Sequence, residues 1–423
     1  MANSILTNTV ITREAARILH QTDNFLGSIN MEYQDQFART GAKAGATIGM
    51  RLPTKYKART SATFSGQDHV ERSTPLAVLS QWGVDVSFST YDRTLSLDDF
   101  SKRVVAPAIK QLAAEVAGNC MSAAYKYVNN YTNATTDTTL TYKYFQKNGA
   151  NITNGLGPLA DRTGLLTPLS AVEFLDATKG LFAANSNLNT QFREGIMGRT
   201  GGFDVGENTM LPSHTTGSLA GTPLTDGAAL GTSTTANAWV SQTVMQIDGA
   251  TSLTTLAAGD IITFGTVAAG LVACHPETKA STGKLQTFVV QSAVTLTTSA
   301  DDYSVTVKPG IMYGTGNAFQ NVILTKADTD GMTVTRIGAA STQFAQDLFF
   351  HKDAFAIAFV DLEDVSPYGA SCSRQSTDKI SIRFVQQYGA SDDIVKARFD
   401  VCFGFAPLYP ELASRHMTTA SLL

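Results

Sequence analysis

The chain predicts an α+β protein in which a β-rich module, a small barrel or sandwich, is inserted into a mixed body, and three stretches carry that expectation. Between Thr94 and Asn130, Ile109, Leu112, Ala113, Val116, Cys120, Ala123 and Tyr127 recur at helical spacing, with Lys110, Gln111, Glu115 and Lys126 elsewhere around the helix. From Ser213 to Ala300 the composition turns to Thr, Ser, Gly and Ala, and the charged residues are Asp226, Asp248, Asp260, Glu277, Lys279 and Lys284. Short β-branched runs recur there between turn signals such as Asp248-Gly249, the pattern of a barrel or sandwich. Near the end, Ile380, Ile382 and Phe384 alternate, Tyr388 to Asp393 turns, and Val395, Ala397, Phe399, Val401, Phe403 and Phe405 alternate back.

In chain order, residues 1–44 carry a weak amphipathic pattern: Ile11, Ala15, Ile18 and Leu19 against Arg13, Glu14 and Arg17. So short a helix needs a surface to pack on. Ile48, Met50 and Leu52, then Val84, Val86 and Phe88, predict two antiparallel strands within 45–93. The polar stretch between them, with Gly66, Asp68 and Pro75, should project as a loop. Arg39, Lys43, Arg51, Lys55, Lys57 and Arg59 follow one another without an acid. Such a run suits an acidic neighbour or nucleic acid, and equally a solvated face.

Ser96-Leu97-Asp98-Asp99 reads as a capping box, and Pro107 as a kink or a restart. A rod from Ala106 to Asn130 would be about 37 Å long. Residues 131–155 read as strands and loops. A helix is expected from Leu169 to Ala184 with Pro168 in its first turn, then a helical turn over Gln191 to Met197 and a glycine-rich turn at Arg199 to Val205. In the insert, strands are expected at Val240–Ile247, Asp260–Phe264, Gln286–Val290, Val294–Leu296, Tyr303–Val307 and Met332–Ile337, after an extended loop over 217–237. Phe344, Leu348, Phe349, Phe350, Phe355, Ile357 and Phe359 form a dense apolar stretch beyond it.

Charged residues are 16% of the chain, below the ~25% of ordinary soluble domains, so partners are expected to cover part of the surface. A net charge of −4 argues against a general nucleic-acid binder. No basic-then-apolar leader and no membrane-length apolar run is visible, so a cytoplasmic protein without membrane contact is expected. Cys120, Cys274, Cys372 and Cys402 are dispersed, as reduced thiols are, and the sequons at Asn130, Asn133 and Asn151 are then chance matches.

Motifs for chemistry fail on inspection. Lys279 to Leu285 matches a phosphate loop only at Gly283-Lys284, and Asp328-Thr329-Asp330-Gly331 has too few ligands for calcium. Cys274-His275 is adjacent rather than spaced for zinc, and His351 reads as a satisfied buried imidazole. No enzyme, cofactor or metal is expected.

The order of these elements, together with Leu97 to Lys110 around Ala106-Pro107, Gly201-Gly202-Phe203-Asp204, Gly259-Asp260-Ile261-Ile262-Thr263-Phe264, Phe350-His351-Lys352-Asp353-Ala354-Phe355 and the Ile380–Phe405 hairpin, resembles the HK97-like major capsid proteins of tailed phages. It is most similar to the coat-protein family of short-tailed phages related to phage P-22, which carries an inserted β-barrel. The resemblance implies an N-terminal arm (1–44), an extended loop (45–93), a peripheral domain with a spine helix (94–165), an axial domain (166–216 and 342–379), an inserted barrel (217–341) and a peripheral hairpin with the C-terminus (380–423). It implies a structural protein of the virion, assembled in the host cytoplasm into hexamers and pentamers of an icosahedral head with triangulation number seven. Implied partners are further copies of the chain, a scaffolding protein, a portal and a decoration protein, around double-stranded DNA held without sequence-specific binding. Intersubunit contacts are expected at Arg51, Lys55, Lys57, Arg59, Asp68, Glu71, Arg72 and Asp226, and scaffold or arm contacts at Arg13, Glu14 and Arg17. The alternative is a secreted or surface β-rich adhesion protein, suggested by the Thr/Gly-rich module.

Overall fold

The computed structural model describes residues 25–33, 47–60, 62–64, 66–78, 80–89, 106–133, 140–178, 198–227, 238–298, 302–377, 380–391 and 393–419. The chain forms two compact units, one from residues 1–50, 74–121 and 355–408, the other from 51–73, 122–354 and 409–423. The N-terminal amphipathic segment, the capping box at Ser96 and the Gln191–Met197 turn lie outside the described residues.

In the first unit the alternating apolar residues of the closing hairpin build a sheet. Strands Ile380–Gly389 and Ile394–Pro407 pair antiparallel, with Gly389 opposite Ile394 and Phe384 opposite Phe399. The Phe384 and Phe399 ring centroids are 4.8 Å apart, and Val395, Ala397, Phe399, Val401 and Phe403 are all buried, the face that the alternation predicts. Strand Ser80–Ser89 lies along the other edge of Ile394–Pro407, and the wholly buried strand Phe355–Phe359 continues that edge. The strand Thr47–Leu52 pairs instead with Arg72–Ala77, so the two strands read from 45–93 do not pair with each other. Arg72–Ala77 falls inside the stretch read as loop because Pro75 and three polar residues mask it. Its buried members are Leu76 and the stem of Arg72.

Helix α1 runs Ala106–Ala124 and continues as a 3-10 turn, Tyr125–Tyr127. Pro107 sits in its first turn, where a missing N–H costs nothing. Ile109, Leu112, Ala113, Val116, Ala117, Cys120, Met121 and Ala124 are buried. The stripe therefore drifts to Met121 and Ala124 rather than to Ala123 and Tyr127, as a straight 3.6-residue helix requires.

Besides a two-stranded and a three-stranded sheet, the second unit holds two larger β-systems. In one, strand Gln343–His351 is flanked by Ala413–Thr419 and Arg162–Leu166, and Arg162–Leu166 lies parallel to Phe203–Glu207. Strand Gly198–Thr200 returns on Phe203–Glu207 through Gly201 and Gly202, whose φ values of +57° and +89° need glycine. Helix α2, Tyr142–Asn154, and helix α3, Pro168–Thr178, cover this sheet around Phe145, Phe174, Phe203 and Phe349. Helix α2 replaces the strands and loops expected there. Thr141 caps it by accepting from Tyr144 N at 3.4 Å, and its buried face is Phe145, Asn148, Gly149 and Ile152. Two of those four are not apolar, which hides the period. Asn148 is satisfied by Thr132, Ser414 and the Tyr144 carbonyl.

The other β-system is a six-stranded sheet ordered Val334–Arg336, Ile261–Phe264, Phe288–Val290, Tyr303–Lys308, Thr243–Ala250, Gly221–Asp226. Its edges meet at a bridge between Leu224 and Thr333, with Thr225 N donating to Met332 O at 2.9 Å and Gly331 N to Thr225 O at 2.7 Å. The sheet thus curls into a barrel-like ring around Met245, Ile247, Phe264, Phe288 and Val305. Gly221–Asp226 is a strand where the extended loop over 217–237 was expected. Its inward residues are Pro223 and Thr225, too small or polar to register as apolar. The chain enters and leaves the ring side by side: Thr216 N donates to Thr342 O at 3.0 Å and Ser341 N to Gly217 O at 3.1 Å.

Candidate functional site

Seven of the residues singled out for contacts lie on the segment 51–73 of the second unit. Residues 53–71 adopt no helix or strand among the described positions, and side chains tie the two arms together in place of backbone pairing. Lys57 N donates to Gln67 Oε1 at 2.8 Å and Gln67 Nε2 returns to Lys57 O at 2.5 Å. Tyr56 Oη meets His69 Nδ1 at 2.9 Å, and Arg51 meets Glu71 at 3.6 Å. That ion pair is exposed on both sides and contributes little stability. Arg59 donates to Thr63 O at 2.7 Å. At the outer end the Phe64 ring is 85% exposed and Tyr56 59% exposed. So large an apolar side chain left open at a loop end suits an interface better than solvent.

The inner end of the segment is packed and cationic. Arg72 is buried, donates through Nε and one Nη to Pro53 O at 3.2 and 2.8 Å, and lies 5.3 Å over the Phe319 ring. Lys57 Nζ donates to the Thr315 carbonyl. Lys55 is half-buried, and desolvation lowers its pKa while Glu411 works against that fall. Lys279, from the turn between strands Leu271–Cys274 and Ser281–Leu285, donates to Pro276 O at 2.7 Å and Gln320 O at 3.0 Å. The structure therefore brings Lys55, Lys57 and Arg72 together, leaves Arg51, Arg59, Asp68 and Glu71 on exposed chain, and adds Lys279. Asp226 stands apart on Gly221–Asp226, opposite Gln246. Arg13, Glu14 and Arg17 lie outside the described residues.

A second cluster is wholly interior. His214 Nε2 and Asp260 Oδ1 are 2.8 Å apart, and Asp260 Oδ2 accepts from Gly217 N and Ala257 N at 3.0 and 2.8 Å. Arg415 is fully buried and donates to Gly259 O at 2.7 Å. Burial lowers its pKa to about 10, against the opposing fields of Tyr125 and Asp260. A Cβ on Gly259, at φ +102°, would stand 2.9 Å from the Tyr125 ring and 3.3 Å from His214. The His–Asp pair looks like acid–base machinery, but Asp260 is 1% exposed, so no substrate reaches it. The pair ties the start of the ring to strand Ser213–Thr215, and Arg415 ties it to strand Ala413–Thr419. Elsewhere, Cys274 donates to Gln320 O and His275 Nδ1 accepts from Glu277 N and Thr278 N, which accounts for that pair as a turn. Among the described residues no group of three or more His, Cys, Asp or Glu could hold a metal, and no helix is long and apolar enough to cross a membrane.

The sequence matches the family described as P22 coat protein, gene protein 5, over residues 30–419. The chain belongs to the P22 coat protein family. No curated protein sequence matches it. Among solved structures it is similar to a chain of Mycobacterium phage Che8 (10% identity, 93% of this chain and 90% of that one, TM-score 0.44). It is similar also to the capsid of cyanophage P-SCSP1u (10%, 90% and 85%, 0.42) and that of Ralstonia phage GP4 (8%, 93% and 87%, 0.42). The protein is thus a phage coat protein, a structural component of the virion shell. For a coat protein, the surfaces that meet other chains take the place of an active site. Sequence reading singled out Arg51, Lys55, Lys57 and Arg59 from their run without acids, and Arg72 among the contacts expected with the family resemblance. It missed Lys279 and the Thr315–Gln320 turn, which no local pattern connects to residue 57.

Proposed function

We propose that this coat protein assembles with copies of itself into the hexamers and pentamers of an icosahedral head that encloses double-stranded DNA. The observation that carries the reading is the 51–73 segment in a chain matched to a coat-protein family over residues 30–419. Its outer end exposes Phe64 and Tyr56 and has no sheet or helix of its own, as expected of an arm that a neighbouring copy covers. Arg51, Arg59, Asp68 and Glu71 would make the polar rim of that contact, with Asp226 serving a separate contact between capsomers. Residues 217–341 would form the inserted module, a boundary supported by the paired entry and exit strands at Thr216 and Thr342. Arg13, Glu14 and Arg17 would serve the scaffolding protein, with a portal and a decoration protein as further partners during assembly in the host cytoplasm. A triangulation number of seven belongs to the same proposal.

Electron microscopy of the expressed chain, alone and with a scaffolding protein, tests it. Closed shells are expected, and replacing Phe64 with Ser should reduce their yield. Monodisperse monomers under both conditions would overturn the reading.

A further inference from the structure

The base of the 51–73 segment gathers more positive charge than the fold neutralises. Four cations converge near one turn: Lys57 donates to Thr315 O, Arg72 lies over Phe319, Lys279 donates to Gln320 O, and Lys55 lies in the electrostatic reach of Arg72 and Lys279. The turn that receives them is braced. Asn317 is fully buried, its Nδ2 donates to Ala238 O at 2.7 Å, and its Oδ1 accepts from Phe319 N at 2.9 Å. Gln320 is buried as well and donates to Val322 O at 3.1 Å. The floor therefore keeps its shape without a ligand.

Donor counting shows what is left over. An ammonium carries three N–H groups. Lys279 uses two, Lys57 one, and Lys55 makes no hydrogen bond or ion pair among the described residues. The nearby acids do not close the gap. Glu411 and Glu277 favour the charge on Lys55, yet among the described residues neither forms an ion pair with Lys55 or Lys279. Burial first, and the field of Lys55 second, push the Lys279 amine down to about 8. Lys55 and Lys279 would hold their protons better beside an anion.

We propose that Lys55, Lys57, Arg72 and Lys279 form a binding site for a small, doubly charged oxyanion of the phosphate class, taken up from solution. A tetrahedral dianion supplies acceptors in several directions, which matches donors arriving from separate elements. The flanking acids and the net charge of −4 disfavour a polyanion at the same place. Filling the site would clamp the base of the segment to the Thr315–Gln320 turn.

Inorganic phosphate titrated into the full chain, against chloride at matched ionic strength, tests this by calorimetry and by melting temperature. A saturable rise in melting temperature with phosphate alone is expected. Its affinity should weaken as pH rises through about 8, where Lys279 discharges. Lys55→Gln should weaken binding at least about tenfold, a loss of about 1.4 kcal/mol. Lys279→Gln gives an independent readout if the first variant folds poorly. Lys284→Gln, on the exposed strand Ser281–Leu285, should bind as the parent does. An equal rise with chloride, or unchanged binding in both site variants, would overturn the proposal. So would a short DNA duplex that displaces phosphate at micromolar concentration, because the cations would then belong to the polymer.

Discussion

Asp400, in the first compact unit, and Asp347, in the second, are both completely buried, and the two are held in opposite ways. Asp400, in the hairpin sheet of the first unit, is clamped by two arginines. Arg383 donates to its Oδ2 at 2.7 and 3.3 Å, and Arg398 to its Oδ1 at 2.7 and 2.9 Å. Asp347, on strand Gln343–His351 of the second unit, accepts Thr167 N at 2.8 Å through Oδ1, while its Oδ2 has no partner. Burial pushes the Asp347 carboxyl up to about 6. Both oxygens of Asp400 meet a cation and neither of Asp347 does. A buried carboxylate that is paired twice serves as a fixed strut. One that is held by neutral donors alone becomes a group whose protonation the fold reports.

The largest effect should come from removing the strut. Asp400→Ala leaves two arginines facing each other beside the sheet, and should cost about 3–5 kcal/mol in denaturant unfolding of the chain. Phe399→Ala, on the neighbouring position of the same strand but the other face, should cost a similar 3–5 kcal/mol through cavity formation. The two losses separate by salt: added salt should narrow the Asp400 deficit by screening the arginines, and leave the Phe399 deficit unchanged. Losses under about 1 kcal/mol in both would mean that the hairpin contributes little to the folded state.

A smaller effect is expected at Gly83, directly opposite Asp400 in the register. A Cβ there would lie 2.7 Å from Asp400 Oδ1 and 2.9 Å from Phe399 O, both closer than real contacts allow. Gly83→Ala should therefore destabilise by about 1–3 kcal/mol. Combining it with Asp400→Asn should cost less than the sum, because the amide can withdraw from the added methyl once its arginine partners no longer hold it.

These positions also show where sequence reading reached and where it stopped. The alternation located the buried face correctly from Val395 to Phe403, because strict period two puts those side chains on the same side of the sheet, and it fails at Phe405, which is half-buried. On the same strand Lys396, Arg398 and Asp400 read as a polar face, and nothing local marks Asp400 as buried between Arg383 and Arg398. Helix α2 was hidden because Asn148 and Gly149 occupy core positions. The pairing of Thr47–Leu52 with Arg72–Ala77 was hidden because Pro75 and Arg72 sit in the partner strand. The strands of the ring were legible from β-branched runs, apart from polar pieces such as Gly221–Asp226. At the cationic site three of the four cations were visible in sequence. The Lys57 contact to Thr315 spans 258 residues, a juxtaposition made by the fold alone.

The smallest effect, and the sharpest test of the contrast, is Asp347→Asn. The wild-type carboxyl has a folded-state pKa of about 6 against an unfolded value near 3.8, so the folded state binds this proton more tightly. Its contribution is therefore most favourable below about pH 4 and is lost as pH rises through about 6. Asparagine carries no charge at any pH and removes that penalty. It also adds N–H donors at a place where Oδ2 already lacks a partner, which costs about 1–3 kcal/mol. The two changes nearly cancel above pH 7, leaving a net effect of about 1 kcal/mol or less, whereas at pH 4 only the cost remains. The variant should look close to wild type at pH 8 and clearly less stable at pH 4, as read from melting temperatures at both. His416, opposite Asp347 in the strand register, titrates in the other sense: burial lowers its pKa to about 3, so it withdraws stability as pH falls below about 6.5. Because His416 is present in both proteins, its effect drops out of the difference between them. A difference that stays constant from pH 4 to pH 8 would show that Asp347 is ionised throughout, and the contrast with Asp400 would then be one of geometry without a consequence for protonation.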